Sequence, residues 1–216
     1  MQRFFGLDSP LIETLTRIGD IICLSVLWLV FSLPVVTIGA SNAALYAAVY
    51  RCLRQNKAGI WKNFKNAFVG NFKVATLAWI AELLALAVLS ADALVFRSLW
   101  LSGETMGPLY WVALAFLAAA LTWTAYVAAY TARFTGRTRE VLHFGLLMLR
   151  SHPLHTLGIM AIILAGLALC LTVPVALLFA PATMCWGSTF LMERVFRCHM
   201  RPEDLERETG GLPKKN

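Results

Sequence analysis

The placement of positive charge constrains this chain more than any other feature. Of its 19 Lys and Arg residues, only Arg97 falls outside four stretches: the N-terminal segment, residues 51–73, residues 133–150 and the end from Arg194. Long apolar runs separate them. Cationic loops stay on the cytoplasmic side of a bilayer, because moving them across is costly and the membrane potential opposes it. The pattern predicts an all-α, polytopic transmembrane helical bundle in the cell membrane, with both termini cytoplasmic. The chain is 59% hydrophobic, with a mean hydropathy of +0.67 and 14% charged residues. That is too little polar surface for a soluble domain of this length. A net charge of +7 would suggest nucleic acid in a soluble protein. Here the cytoplasmic loops account for it, and the lipid bilayer with its anionic headgroups is the expected partner rather than nucleic acid.

Read along the chain, residues 1–198 form a transmembrane domain and residues 199–216 a polar cytoplasmic tail. Asp8, Glu13 and Asp20 make the start too acidic for a cleaved signal peptide, so an uncleaved first span is expected. Ser9-Pro10 opens a helix, span one runs from about Arg17 to Leu33, and Pro34 ends it. Residues 34–42 are an uncharged break, followed by a short helix to Leu53. That helix is too short to cross ~30 Å of hydrocarbon alone, and crosses only if the break is buried in protein. The basic stretches lie on one side, which favours six spans; five spans plus a re-entrant segment is the alternative.

Residues 51–73 carry six cations and no acid, with Trp61, Phe64, Phe68 and Phe72 at helical spacing. They predict an amphipathic helix lying in the inner interface, and residues 133–155 predict a second. Spans three and four are expected at 74–96 and 109–132, span five at 156–179 with a kink at Pro174, and span six at 182–197. An internal repeat 80 residues apart pairs Ala47-Ala48-Val49-Tyr50 with Val127-Ala128-Ala129-Tyr130, and Phe64 with Phe144. It suggests a parallel duplication.

Glu82 is the sharpest candidate for chemistry. It falls near the middle of span three, where an ionised side chain costs at least ~2.5–3.5 kcal/mol. It suits a proton or cation site, a contact to a polar substrate, or a carboxyl tying helices together. Asp92 lies ten residues on and about 80° away around the same helix, so no carboxylate pair is expected. Thr122, Thr124, Tyr126 and Tyr130 give span four a polar side, which lines a cavity or bonds neighbouring helices. With Glu82, Thr122 and Tyr126 make up the candidate intramembrane polar site. Glu193-Arg194 reads as a snorkelling pair at the inner end of span six.

The five cysteines lack metal-type spacing, and Pro153 argues against a helical pair of His152 and His155. No metal or cofactor is expected. GxSxG, HExxH, Walker A and GxGxxG patterns are all missing, and no nucleophile–base spacing stands out, so the chain does not read as an enzyme.

Residues 4–80 resemble the YesL family, small bacterial membrane proteins of unknown function. The resemblance rests on Phe4-Phe5 with Asp8-Ser9-Pro10-Leu11, and on the run from Ser32 to Ser41, Ser-Leu-Pro-Val-Val-Thr-Ile-Gly-Ala-Ser. Ala44-Leu45-Tyr46, Phe64-Lys65-Asn66-Ala67-Phe68 and Asn71-Phe72-Lys73 continue it. The resemblance implies no catalytic residue. It does imply an accessory role beside carbohydrate transporter subunits, since family members often accompany carbohydrate import systems. The break gives the candidate motif Pro34, Thr37, Gly39, Ser41 and Asn42, either a binding feature or a tight packing turn. The rival reading is a small proton- or ion-coupled secondary transporter, drawing on Glu82, the polar side of span four and the Pro34 break.

Overall fold

The computed structural model describes residues 10–134 and 136–199, with side chains from Thr14 to Arg197. The opening Phe4-Phe5 and Ser9 of the family resemblance, Cys198 and the polar tail lie outside the described side chains. Among the described residues every regular element is helical.

Helix α1 spans Pro10–Ser32, with proline in its first turn as the sequence requires. Pro34 ends it, and a 3₁₀ turn, Val35–Thr37, leads into α2, Ile38–Val49. The irregular break is therefore shorter than the expected 34–42: α2 starts at Ile38 and takes Gly39, Ser41 and Asn42 into its first turns. Close packing is the reason. A Cβ on Gly39 would overlap Trp79 Cβ and lie 2.6 Å from the Ala75 carbonyl oxygen. The glycine lets α2 seat directly on α3, as small residues do between membrane helices.

Nine of the twelve α2 residues are buried, most of them alanine. The helix packs against α3, α4, α1 and α7, which makes it the hub of the bundle. A π-helical turn, Tyr50–Arg54, follows, and Gly59 in the left-handed region (φ 94°) turns the chain into α3.

Helix α3 runs unbroken from Ile60 to Leu101, 42 residues. At 1.5 Å per residue it is about 63 Å long, twice the hydrocarbon thickness. Here the structure departs from the sequence reading. Residues 60–73 do not form a separate interfacial helix; they continue into the span. Nothing in Asn71-Phe72-Lys73 breaks a helix, whereas the equivalent place in the second half holds His152-Pro153 and does break. There α5, Thr138–Ser151, is separate from α6, Pro153–Thr172.

Helix α4 spans Leu109–Arg133 and α7 spans Ala180–His199. Pro174 opens a 3₁₀ turn, Pro174–Leu178, so it terminates α6 instead of kinking a longer span. Missing its N–H, proline cannot continue the α6 ladder. Among the described residues, four helices are long and apolar enough to cross a membrane: Thr14–Ser32 of α1, then α3, α4 and α6. An aromatic wall joins α1 to the first half of α3, with the Phe31 ring 5.4 Å from Phe64 and 4.9 Å from Phe68. Phe64 is fully buried in it. The family-like motif thus builds packing on both sides of the basic turn.

Candidate functional site: a buried carboxylate between α2, α3 and α4

Glu82 is 3% exposed, and its Oε1 is buried without a hydrogen-bond partner. It lines a small cavity of about 10 Å³, enough for about one water. Gly39 and Asn42 of α2, Ala75 of α3, and Thr124, Val127, Ala128 and Thr131 of α4 form the other walls. The polar side of α4 that meets Glu82 is therefore not the expected pair. On a helix turning 100° per residue, Thr124, Val127, Ala128 and Thr131 share one face. Thr122 and Tyr126 lie on the other side. Thr122 is buried and donates to the Ala118 carbonyl at 2.9 Å. Tyr126 belongs to a second cluster, with Tyr46, Met148, Ile159 and Met192. The Thr156 hydroxyl donates to Leu149 O, so the Tyr126 hydroxyl, 3.3 Å from Thr156 Oγ1, is the donor there.

Local packing satisfies the break before α2. The Thr37 hydroxyl reaches two carbonyl oxygens, Phe31 O at 2.6 Å and Pro34 O at 2.8 Å. Trp79 Nε1 donates to Val35 O at 2.8 Å. An unwound segment in an apolar surrounding needs such partners, and here its own helices supply them. Thr37 thus bonds within the turn and Gly39 packs on α3. Asn42 bridges inward: its Oδ1 accepts from Trp28 Nε1 at 2.7 Å while the residue lines the Glu82 cavity. Ser41 is fully buried with no partner for its hydroxyl oxygen.

A second polar cluster differs from the sequence expectation. Glu193 does not snorkel; it is 1% exposed. Its Oε1 accepts from Arg133 Nη1 at 2.8 Å and from the Tyr46 hydroxyl at 3.0 Å. The Arg133 guanidinium also sits 4.3 Å from the Tyr50 ring centroid. Arg54 donates to Thr189 O at 2.9 Å and lies over Phe190. Two of the cations expected to be solvated thus clamp α7 onto α2 and α4. The sequence offered one hint, the repeated Tyr-x-x-x-Tyr, which places Tyr46 and Tyr126 in the same cluster.

The His152 and His155 rings are perpendicular with centroids 5.8 Å apart, and among the described residues no three His, Cys, Asp or Glu side chains gather.

The helices that surround the Glu82 cavity include a stretch that matches a family model. Residues 21–93 match the DUF624 family, described as a protein of unknown function. This is the family that YesL-type proteins carry. The match covers α1 from Ile21, the Pro34 turn, α2, the basic turn and α3 as far as Ala93. It includes Glu82, Gly39 and Asn42, whereas the α4 wall of the cavity lies beyond it. No curated protein and no solved structure matches the chain.

Proposed function

We propose that the protein is a six-span cell-membrane protein with both termini cytoplasmic, acting as an accessory or interaction component of carbohydrate uptake. The link to carbohydrate rests on the family resemblance. The single observation that favours an accessory over a sugar carrier working through Glu82 is the size of the Glu82 cavity, about 10 Å³, which admits one water and no sugar. The surface available to a partner is the basic one. Arg51, Lys57, Lys62, Lys65 and Lys73 are all exposed, next to exposed Trp61 and Phe72. In support of six crossings, carbonyl oxygens at the Pro34 turn accept from the Thr37 and Trp79 side chains, which partners this backbone without water. A mild-detergent pull-down of the tagged chain tests this reading. Stoichiometric recovery of the membrane or ATPase subunits of a carbohydrate importer is the expected result; recovery of the chain alone overturns it.

A second reading, a small ion-coupled secondary transporter, is favoured by one observation: Glu82 holds a carboxyl oxygen without a partner at the meeting point of three helices. Ion-driven uptake by the purified protein in vesicles, lost in Glu82→Gln, would support it.

A further inference from the structure

The walls of the Glu82 cavity present acceptors and few donors. Thr124 gives its hydroxyl proton to Leu121 O at 2.8 Å, and Thr131 gives its own to Val127 O at 2.8 Å. A hydroxyl that has donated keeps its oxygen lone pairs. Asn42 Oδ1 accepts one bond from Trp28 and retains a second lone pair. Opposite these neutral oxygens stands Glu82, whose Oε1 meets no donor at all. Among the described residues, no Lys, Arg or His lines the cavity. Such a lining is unsuited to an anion. It suits a guest that offers positive charge to oxygen ligands on several sides.

We propose that this cavity binds one small monovalent cation of sodium size, with Glu82 as the charged ligand and Asn42, Thr124 and Thr131 as the neutral oxygen wall. The charge fits: one carboxylate balances one positive charge, whereas divalent sites draw on several carboxylates. The size fits: a space for about one water accepts a stripped ion and excludes a hydrated one. Hard oxygen donors, with no sulfur or imidazole in the wall, suit an alkali cation over a transition metal. Gly39 stands in the first turn of α2, so the partly positive end of that helix borders the site. It favours the ionised carboxylate and weakens the hold on the ion, which makes the site exchangeable. The assignment goes beyond both functional readings, because equilibrium binding requires neither transport nor a partner protein.

The test is thermal unfolding of the purified full chain in detergent, at fixed pH and ionic strength, with sodium chloride replacing choline chloride. The expected result is a saturable rise in Tm of about 3–5 °C at a tenfold excess of sodium over its Kd, abolished in Glu82→Gln. Equal Tm in the two salts overturns the proposal, as does a sodium effect undiminished in Glu82→Gln. A stability that follows pH and ignores sodium overturns it too, and assigns the carboxyl to a proton. Should Glu82→Gln fail to fold, Thr131→Val serves. It replaces one oxygen by a methyl group and is expected to raise the half-saturating sodium concentration about tenfold, the loss of about one oxygen ligand. An unchanged half-saturating concentration overturns the proposal.

Discussion

Arg133 and Glu193 stand 60 residues apart in sequence and 2.8 Å apart in space, with side chains 9% and 1% exposed. They join the C-terminal end of α4 to α7, and the Tyr46 hydroxyl ties the same carboxylate oxygen to α2. Three helices that the chain visits at different times thus meet at one atom. Removing one partner of a buried ion pair leaves an uncompensated charge and costs about 3–5 kcal/mol. Arg133→Met and Glu193→Leu are each expected to destabilise by that order, and the double variant by much less than their sum. Thermal or denaturant unfolding in detergent, arranged as a double-mutant cycle, measures the coupling. Additive losses would show that the two side chains do not interact.

Gly39 and Gly70 make a controlled comparison on neighbouring helices. A Cβ at Gly39 meets Trp79 and the Ala75 carbonyl, while at Gly70 nothing lies within 4 Å. Gly39→Ala is expected to cost about 1–3 kcal/mol, as overpacking does. Gly70→Ala is expected to be neutral or to stabilise by about 0.5–1 kcal/mol through helix propensity. The check is the ranking of their Tm values around wild type.

Trp79 carries the turn at Pro34. Trp79→Phe keeps most of the ring but removes the N–H that satisfies Val35 O. A loss of about 0.5–1.5 kcal/mol is expected, the net worth of one part-buried hydrogen bond. The loss should be accompanied by faster amide exchange across Val35–Thr37, read by mass spectrometry.

The direction of the chain through the bilayer is open to a labelling test. With native cysteines replaced, a cysteine at Ser102 is expected to react with an impermeant maleimide added to intact cells. One at Lys57 or Arg137 is expected to react only after the inner face is opened. Cys52, restored as the single cysteine, should label slowly from either side. It is buried, burial pushes its thiol pKa up, and its sulfur accepts from Asn63 Nδ2 at 3.4 Å. Labelling of Lys57→Cys in intact cells would reverse the orientation.

Much of this fold was legible one residue at a time. Pro34 and Pro153 mark real helix boundaries because proline lacks the N–H that the ladder needs, wherever it stands. Glu82 was singled out by depth alone, and it is buried. The aromatic series Phe64, Phe68 and Phe72 predicted one helical face, and Phe64 and Phe68 pack against Phe31. What failed were statements about company. Thr122 and Tyr126 were grouped with Glu82 because they are polar and on α4, yet Thr124 and Thr131 occupy the facing side. Glu193 was assigned to the interface because it stands at a helix end next to an arginine, yet its partner is an arginine on another helix.

The sequence by itself determined which segments are helical, which are apolar, and where the basic turns lie. Those properties follow from local composition, proline and the cost of moving charge through hydrocarbon. The tertiary structure alone decided that α2, short and rich in alanine, is the hub, and that Glu82 faces Asn42 and Thr131. It also decided that Arg133 meets Glu193 and not solvent. The reason is physical. In an apolar medium hydrophobicity does not distinguish one helix face from another. The rotation and neighbours of each helix are then set by close contacts such as Gly39 on Trp79, and by a few long-range polar bonds. Neither leaves a period in the sequence.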